Sequence, residues 1–431
     1  MKRCKGIYLS HRKHTAGAET ERLPLPATVI LPMSMHMGAP CRPMVAVGDS
    51  VMVGQQIGET TEAFSAPILA SVSGKVTAIQ EHLCANGTKC PAVVIESDGN
   101  QTIHPACQPK ALHTKEALIE AARNSGCVGL GGAGFPTHIK LSAQKPMDML
   151  VVNAAECEPY LTSDCRQMME STADCIAGIV MIMKLMSIAR CRIGVENNKP
   201  AAIRRLAEAC REHPEIEVIP LSSMYPQGAE KVLIYHTTGR VITEGTLPAD
   251  HGVLLLNIST CAFLYQYTQT GIPLVERRVT VDGTAVRKPC NLLVPIGTPV
   301  RLLLEYAEYD AAQMKRLLSG GPMMGLPLYS VDTPICKPNN GLLAMKELPA
   351  HKQTACIRCG RCMRACPMQL MPMALERAYA QKDRKALERY RVMLCMNCGC
   401  CSYVCPASRP LAATNQLAKS LLSGNERSND L

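Results

Sequence analysis

Cys356-Ile357-Arg358-Cys359-Gly360-Arg361-Cys362-Met363-Arg364-Ala365-Cys366-Pro367 and Cys395-Met396-Asn397-Cys398-Gly399-Cys400-Cys401-Ser402-Tyr403-Val404-Cys405-Pro406 carry one pattern twice, C-x2-C-x2-C-x3-C-P. This is the spacing by which thiolates hold paired iron–sulfur cubanes. Three thiolates on one tight loop grip one cluster. The fourth, carried past a turn, projects to the other cluster, and the proline ends the loop without needing a backbone donor. The pattern sets one [4Fe–4S] cluster on Cys356, Cys359, Cys362 and Cys405, and the other on Cys395, Cys398, Cys401 and Cys366, with Cys400 spare. Zinc is the alternative, since C-x2-C pairs also build tetrahedral sites. Two matching halves with no histidine between Cys356 and Cys405 favour clusters.

Between the two loops the sequence predicts a long helical stretch, with Leu375, Ala378, Tyr379, Leu387 and Tyr390 on the side that packs beside the clusters. Its cations, Arg377, Lys382, Arg384, Lys385, Arg389 and Arg391, outweigh Glu376, Asp383 and Glu388. Such a run is either a solvated face or a docking surface for an acidic electron carrier. No nucleic-acid motif accompanies it.

The chain has 23 cysteines; fourteen stand singly before residue 350 and nine crowd into 356–405. The start, Met1-Lys2-Arg3-Cys4-Lys5, shows no apolar leader, so the reading is reduced cytoplasm plus one metal-binding segment. Single cysteines are mostly small buried hydrophobes; Cys157, set in a polar motif, is the exception to watch. With 431 residues, 47% hydrophobic and 19% charged, the chain is globular and multidomain. Aromatics at 3% with no Trp argue against a base-stacking platform, and a net charge of +10 allows an acidic partner without demanding one. The longest apolar run, Ile176 to Ala189, is broken by Lys184 and is short for a bilayer of about 30 Å, so it is expected as a Met-rich buried helix.

The second informative stretch is Gly126-Cys127-Val128-Gly129-Leu130-Gly131-Gly132-Ala133-Gly134-Phe135-Pro136-Thr137-His138-Ile139-Lys140. Its glycines let backbone approach a ligand and point N–H groups at phosphate, and Lys140 adds a cation. It is neither a Walker loop nor a dinucleotide fingerprint. Met149 to Asn153 reads as a buried strand ending in Asn153-Ala154-Ala155-Glu156-Cys157-Glu158-Pro159. Acid–base work, hydrogen bonding to a ribose or a ring edge, and plain loop acids are all open to Glu156 and Glu158.

Outward from these motifs, residues 40–97 read as compact β structure punctuated by Gly54, Gly58 and Gly74. Residues 115–250 alternate helix and strand, which predicts a largely parallel sheet with ligands beyond its carboxyl edge. Residues 252–305 return to β character, and the Gly- and Pro-rich run 320–341 is expected as a linker. The domains are drawn at 1–110, 111–250, 251–310, a linker 311–345, and 346–431.

Ser65 to Val76 resembles the barrel-sandwich of lipoyl and biotinyl carriers, but Lys75 follows a glycine at a strand start and is read as solvated, not as a carrier lysine. The Gly129–Thr137 loop with Asn153, Glu156, Glu158 and Pro159 resembles the FMN and NADH site of the flavoprotein subunit of respiratory complex I. Tyr225-Pro226-Gln227-Gly228-Ala229-Glu230 and Asn257-Ile258-Ser259-Thr260 resemble two further loops of that site. Leu130, Ala155 and His138 depart from it. Over nearly its whole length the chain is similar to the RnfC family of the Rnf electron transport complexes; Met33 to Pro40, Ser65-Ala66-Pro67 and Gly320 to Gly325 share in that likeness. The resemblance implies a multidomain α/β protein with four parts: an N-terminal β barrel-sandwich, an α/β flavin/NADH-binding core, a β-grasp SLBB segment, and a C-terminal α-helical double-cluster ferredoxin domain.

The same resemblance implies a ferredoxin:NAD oxidoreductase subunit on the cytoplasmic face of the membrane. Its cofactors would be FMN and two [4Fe–4S] clusters, NAD(H) its substrate, and ferredoxin or a similar carrier and further membrane subunits its partners. Gly129, Gly131, Gly132, Gly134 and Phe135 would shape the flavin pocket and Lys140 would meet the phosphate. Asn153, Glu156 and Glu158 would hold flavin or nicotinamide edges, the two acids being the catalytic candidates. Tyr225, Gly228 and Glu230 would complete the nucleotide site, with Asn257 and Thr260 under the flavin. A cobalamin reductase of a diol-using microcompartment looks similar, and a flavin-free electron relay is the non-enzymatic alternative. A lyase using a cluster as Lewis acid fits less well, since both cysteine runs are complete.

Overall fold

The computed structural model describes residues 4–347 and 352–423. Met1 to Arg3, the first residues of the start read as leaderless, lie outside them, as do residues 348–351 and 424–431 of the cluster domain drawn at 346–431.

The N-terminal unit is two small antiparallel sheets. One orders Thr28–Pro32, Lys89–Ser97, Gly74–Leu83 and Ser50–Val51; the other orders Arg42–Pro43, Gln56–Glu59 and Ile68–Leu69. Period-two alternation sends Val29, Leu31, Ile57, Ile68, Val93 and Ile95 into one core. Lys75 is exposed.

The α/β core is a four-stranded parallel sheet ordered Ile216–Leu221, Arg190–Glu196, Met149–Ala154 and Val253–Asn257. Leu150 and Val152 face helices Lys115–Asn124, Thr172–Leu185 and Ile258–Thr270, while Met149 and Val151 face Leu233 and Ile234 of helix Glu230–Thr238. Near-continuous burial is what a parallel strand covered on both faces requires. The connection reverses direction between Met149–Ala154 and its neighbour Val253–Asn257, where the register sets Asn257 opposite Asn153. The crevice of a doubly wound sheet opens at such a point.

A six-stranded sheet follows, ordered Thr20–Arg22, Cys290–Pro295, Glu276–Asp282, Gly341–Met345, Arg316–Ser319 and Leu326–Pro327, with helix Val300–Tyr306 on it. The pairing cuts across the boundaries drawn from sequence. Val253–Asn257 belongs to the α/β sheet although it lies past residue 250, and three strands of the six-stranded sheet fall inside 311–345, drawn as linker. Thr20–Arg22 joins this sheet rather than the N-terminal unit. Local β character cannot say which sheet a strand enters; long-range pairing decides that.

The C-terminal unit is helical. The expected long helix between the cysteine loops is two, Pro372–Ala380 and Arg384–Arg389, broken where Lys382 adopts φ 51° and Asp383 caps the second helix through Ala386 N at 2.9 Å. Leu375, Ala378, Leu387, Ala418 and Leu421 form its core. Among the described residues no helix is long and apolar enough to cross a membrane; Ile176 and its neighbours lie in helix Thr172–Leu185.

Candidate functional site

A cavity of about 670 Å³ opens at the carboxyl edge of the α/β sheet. Gly129, Gly131, Gly132, Gly134, Phe135, Lys140, Asn153, Glu156, Glu158, Tyr225, Gly228, Glu230, Asn257 and Thr260 all line it.

The glycine-rich loop is a tight hairpin, with Gly129 N donating to Phe135 O at 2.8 Å and Gly134 N to Gly129 O at 3.3 Å. Gly132 sits at φ 111°, which side chains rarely adopt, and a Cβ there would meet nothing within 4 Å, so its bare face looks onto open space. A Cβ on Gly131 would stand 3.1 Å from Asn257 Nδ2, which makes this a close crossing of loop and sheet edge. Leu130 is clamped: its N–H donates to Thr260 Oγ1 at 3.1 Å and its carbonyl accepts from the buried Arg277 guanidinium at 2.9 Å.

Asn257 caps helix Ile258–Thr270, accepting from Ser259 N at 2.9 Å, and donates to Asp164 Oδ2 at 2.7 Å. Asn153 donates to Gly228 O at 2.8 Å, joining two of the expected loops. Lys140 Nζ bonds Glu230 Oε2 at 3.1 Å and Leu255 O at 3.3 Å, and lies 5.7 Å from the Phe135 ring centroid.

Both catalytic candidates are engaged as backbone anchors. The Glu156 carboxylate accepts from Asp164 N at 2.7 Å and Cys165 N at 3.3 Å, at the start of helix Ser163–Glu170. Burial pushes its pKa up, opposed by Lys13. Glu158 accepts from Met323 N at 3.0 Å and Met324 N at 2.9 Å; burial raises its pKa to about 6 while the two amides pull it down. Lys13 Nζ donates to the carbonyls of Glu156 and Glu158 at 2.8 Å each, and Lys199 Nζ to Ala155 O at 2.6 Å. Cys157, the cysteine set in the polar motif, also lines the cavity, and burial pushes its thiol up to about 12, away from the thiolate form.

Part of the wall was not foreseen. The N-terminal unit contributes His36 and Met37, with Met37 N donating to Gly134 O at 2.9 Å and Phe64 packed on Phe135 at 5.2 Å between ring centroids. The buried Lys337 bonds Pro67 O and Gly126 O, tying the N-terminal unit to the root of the glycine-rich loop. His138 is also buried, with Nε2 3.2 Å from Ala63 O.

Two smaller pockets lie in the helical unit. Cys356, Cys359, Cys362 and Cys405 line one, three thiols from the first loop and one from the second; Cys366 from the first loop lines the other with Cys395, Cys398, Cys400 and Cys401. Among the described residues no three His, Cys, Asp or Glu side chains converge as one metal ion needs. A cubane offers its four irons at separate corners, each to one thiolate, and eight thiols with no histidine are the donor set two cubanes take. The second pocket abuts the large cavity: Met396 lines both, Tyr225 Oη donates to Cys398 O at 2.7 Å, and the buried Cys400 packs its Sγ 3.9 Å from Tyr225 O.

Fold and site together define an iron–sulfur flavoprotein architecture. The chain matches family models for the RnfC Barrel sandwich hybrid domain over residues 2–100, the Nuo51 FMN-binding domain over 122–266, the SLBB domain over 278–327 and the 4Fe-4S dicluster domain over 348–406. It is 40% identical over 392 residues to a subunit of the proton-translocating ferredoxin:NAD(+) oxidoreductase complex of Clostridium ljungdahlii, covering 89% of this chain and 85% of that one. It is 40% identical over 390 residues to the Na(+)-translocating counterpart of Acetobacterium woodii, covering 88% and 87%. Among solved structures, an NAD+-reducing [NiFe]-hydrogenase aligns with 76% of this chain and 64% of its own at 18% identity and a TM-score of 0.49, too distant to carry chemistry across. The chain belongs to the RnfC family of ion-translocating ferredoxin:NAD(+) oxidoreductase subunits.

Proposed function

We propose that this chain passes electrons between NAD(H) and a one-electron partner as a peripheral subunit of a membrane-bound, ion-translocating ferredoxin:NAD oxidoreductase, on the cytoplasmic face. One observation carries the reading: the nucleotide-type cavity and the second cysteine pocket meet at Met396, which lines both, and Tyr225 of the cavity wall donates to Cys398 O of the pocket. FMN, when bound, turns a hydride into two single electrons, which iron–sulfur clusters take one at a time. The bare backbone of Gly131, Gly132 and Gly134 would admit the flavin, beside Phe135. Lys140 would turn from Glu230 toward its phosphate, and Gly129 shapes the loop root. Asn153, Asn257, Thr260, Tyr225, Gly228 and Glu230 would fix the ring and nucleotide edges. Glu156 and Glu158 are assigned to positioning rather than proton transfer, because their oxygens already hold backbone amides. Cys356, Cys359, Cys362 and Cys405 would ligate the first cluster, and Cys366, Cys395, Cys398 and Cys401 the second.

The names of the relatives favour this reading over a cobalamin reductase. The test is anaerobic reconstitution with iron, sulfide and FMN, followed by NADH. Bleaching of the flavin band and then of the cluster bands is expected. Clusters that answer to dithionite but not to NADH, with no flavin retained, would leave the flavin-free relay as the better account.

A further inference from the structure

The two cysteine pockets differ in what a second protein can reach. The second shares a wall with the nucleotide cavity, whereas Cys356 and Cys359 of the first are exposed. From Lys352 to Leu375 the chain carries Lys352, Arg358, Arg361 and Arg364 and not one acid. The side chains of Arg358 and Arg361 form no hydrogen bond or ion pair with any described residue, and all three arginines are exposed. Arg361 and Arg364 also line a shallow cavity of about 480 Å³ beside Cys405, with Tyr403 on its wall. Ile357 and Tyr403, 65% and 61% exposed, add apolar surface beside the charges.

The basic run on helices Pro372–Ala380 and Arg384–Arg389 is a weaker candidate. Glu376, Asp383 and Glu388 are interspersed in it, Arg391 pairs with Glu244, and Arg384 donates to Leu422 O at 3.2 Å.

We propose that the face carrying Cys356 and Cys359, rimmed by Arg358, Arg361 and Arg364, docks an acidic one-electron carrier protein. The inference rests on the proposed electron path and adds its outer end. An unpaired cationic rim around apolar contacts steers an acidic partner and fixes its register. The balance is NADH plus two oxidised carriers giving NAD+, one proton and two reduced carriers; no bond to the carrier forms.

The test measures binding of the full reconstituted chain to an acidic bacterial ferredoxin, at low and high salt, by biolayer interferometry. R358E/R361E should weaken binding by about tenfold or more and flatten its salt dependence, with R358Q/R361Q intermediate. K382E/K385E, at the break between the other two helices and in the second of them, should bind as the parent does. Cluster content, read by visible absorbance, certifies each variant. Unchanged binding in R358E/R361E, an equal loss in K382E/K385E, or no binding by the parent would each overturn the proposal. Bleaching by NADH is followed separately. If it fails in the parent while binding stays dependent on Arg358 and Arg361, the electron-path reading falls and the docking face stands.

Discussion

The loops Cys356–Cys366 and Cys395–Cys405 share every spacing, yet the fold gives them opposite surroundings. In the first, Cys356 and Cys359 face solvent, and the side-chain bond to the Cys359 carbonyl comes from within the loop itself, from the exposed Arg364 at 3.2 Å. In the second, Cys398 and Cys401 are buried; Tyr225 from the α/β core bonds Cys398 O, Gly399 meets Met323, and Asn415 Nδ2 lies 3.6 Å from Cys395 Sγ. One motif therefore serves two positions: an inner one braced by three parts of the chain and an outer one open to partners. Spacing decides which thiols are grouped, and tertiary packing decides which group meets the cavity and which meets solvent.

The largest expected effect tests that order. Cys398→Ser should cost roughly half the bound iron and leave the remaining cluster oxidised when NADH is added, although flavin still bleaches. Cys359→Ser should lose a similar share of iron yet leave an NADH-reducible cluster. Low-temperature EPR of NADH-treated samples distinguishes the two, and the reverse pattern would exchange the inner and outer assignments.

The inner brace also has a pH signature. Glu158 holds the amides of Met323 and Met324, and Met323 backs Gly399. Its pKa stands at about 6 in the fold against an ordinary 4.5. A folded-state pKa raised by burial means that the unfolded chain releases this proton first. Stability therefore falls as pH rises from 4.5 to about 6 and is lower above, by about 2 kcal/mol at most. Glu158→Gln, which cannot ionise, should flatten that fall in the denaturation midpoint of the full chain. Equal slopes in both proteins would remove Glu158 from the account.

What the sequence made legible follows the same division between local and distant. Cysteine spacing and the glycine-rich loop are local chemistry, and the residues expected from them line the pockets the fold forms. Arg277 against Leu130, Lys337 against Gly126 and Met37 against Gly134 join residues about a hundred or more apart in the chain, so no spacing announces them. Glu156 and Glu158 looked like a reactive pair because their partners, a helix start and the 323–324 turn, are invisible until the chain folds. The strand Val253–Asn257 was legible as a strand, but its sheet was not.

The smallest effects compare one bond at each loop. Tyr225→Phe removes the hydroxyl that donates to Cys398 O at 2.7 Å between two buried groups. The orphaned carbonyl should cost about 1–3 kcal/mol of local stability, read as faster loss of the inner cluster to an iron chelator. Arg364→Gln removes the bond to Cys359 O, but there water replaces the guanidinium at an exposed carbonyl, so the loss should stay within about 0.5 kcal/mol. Chelation of the outer cluster should then proceed at nearly the parent rate. A large effect at Arg364 would mean that the outer loop is as tightly specified as the inner one, and the contrast between an anchored and an open cluster would have to be rebuilt on something other than packing.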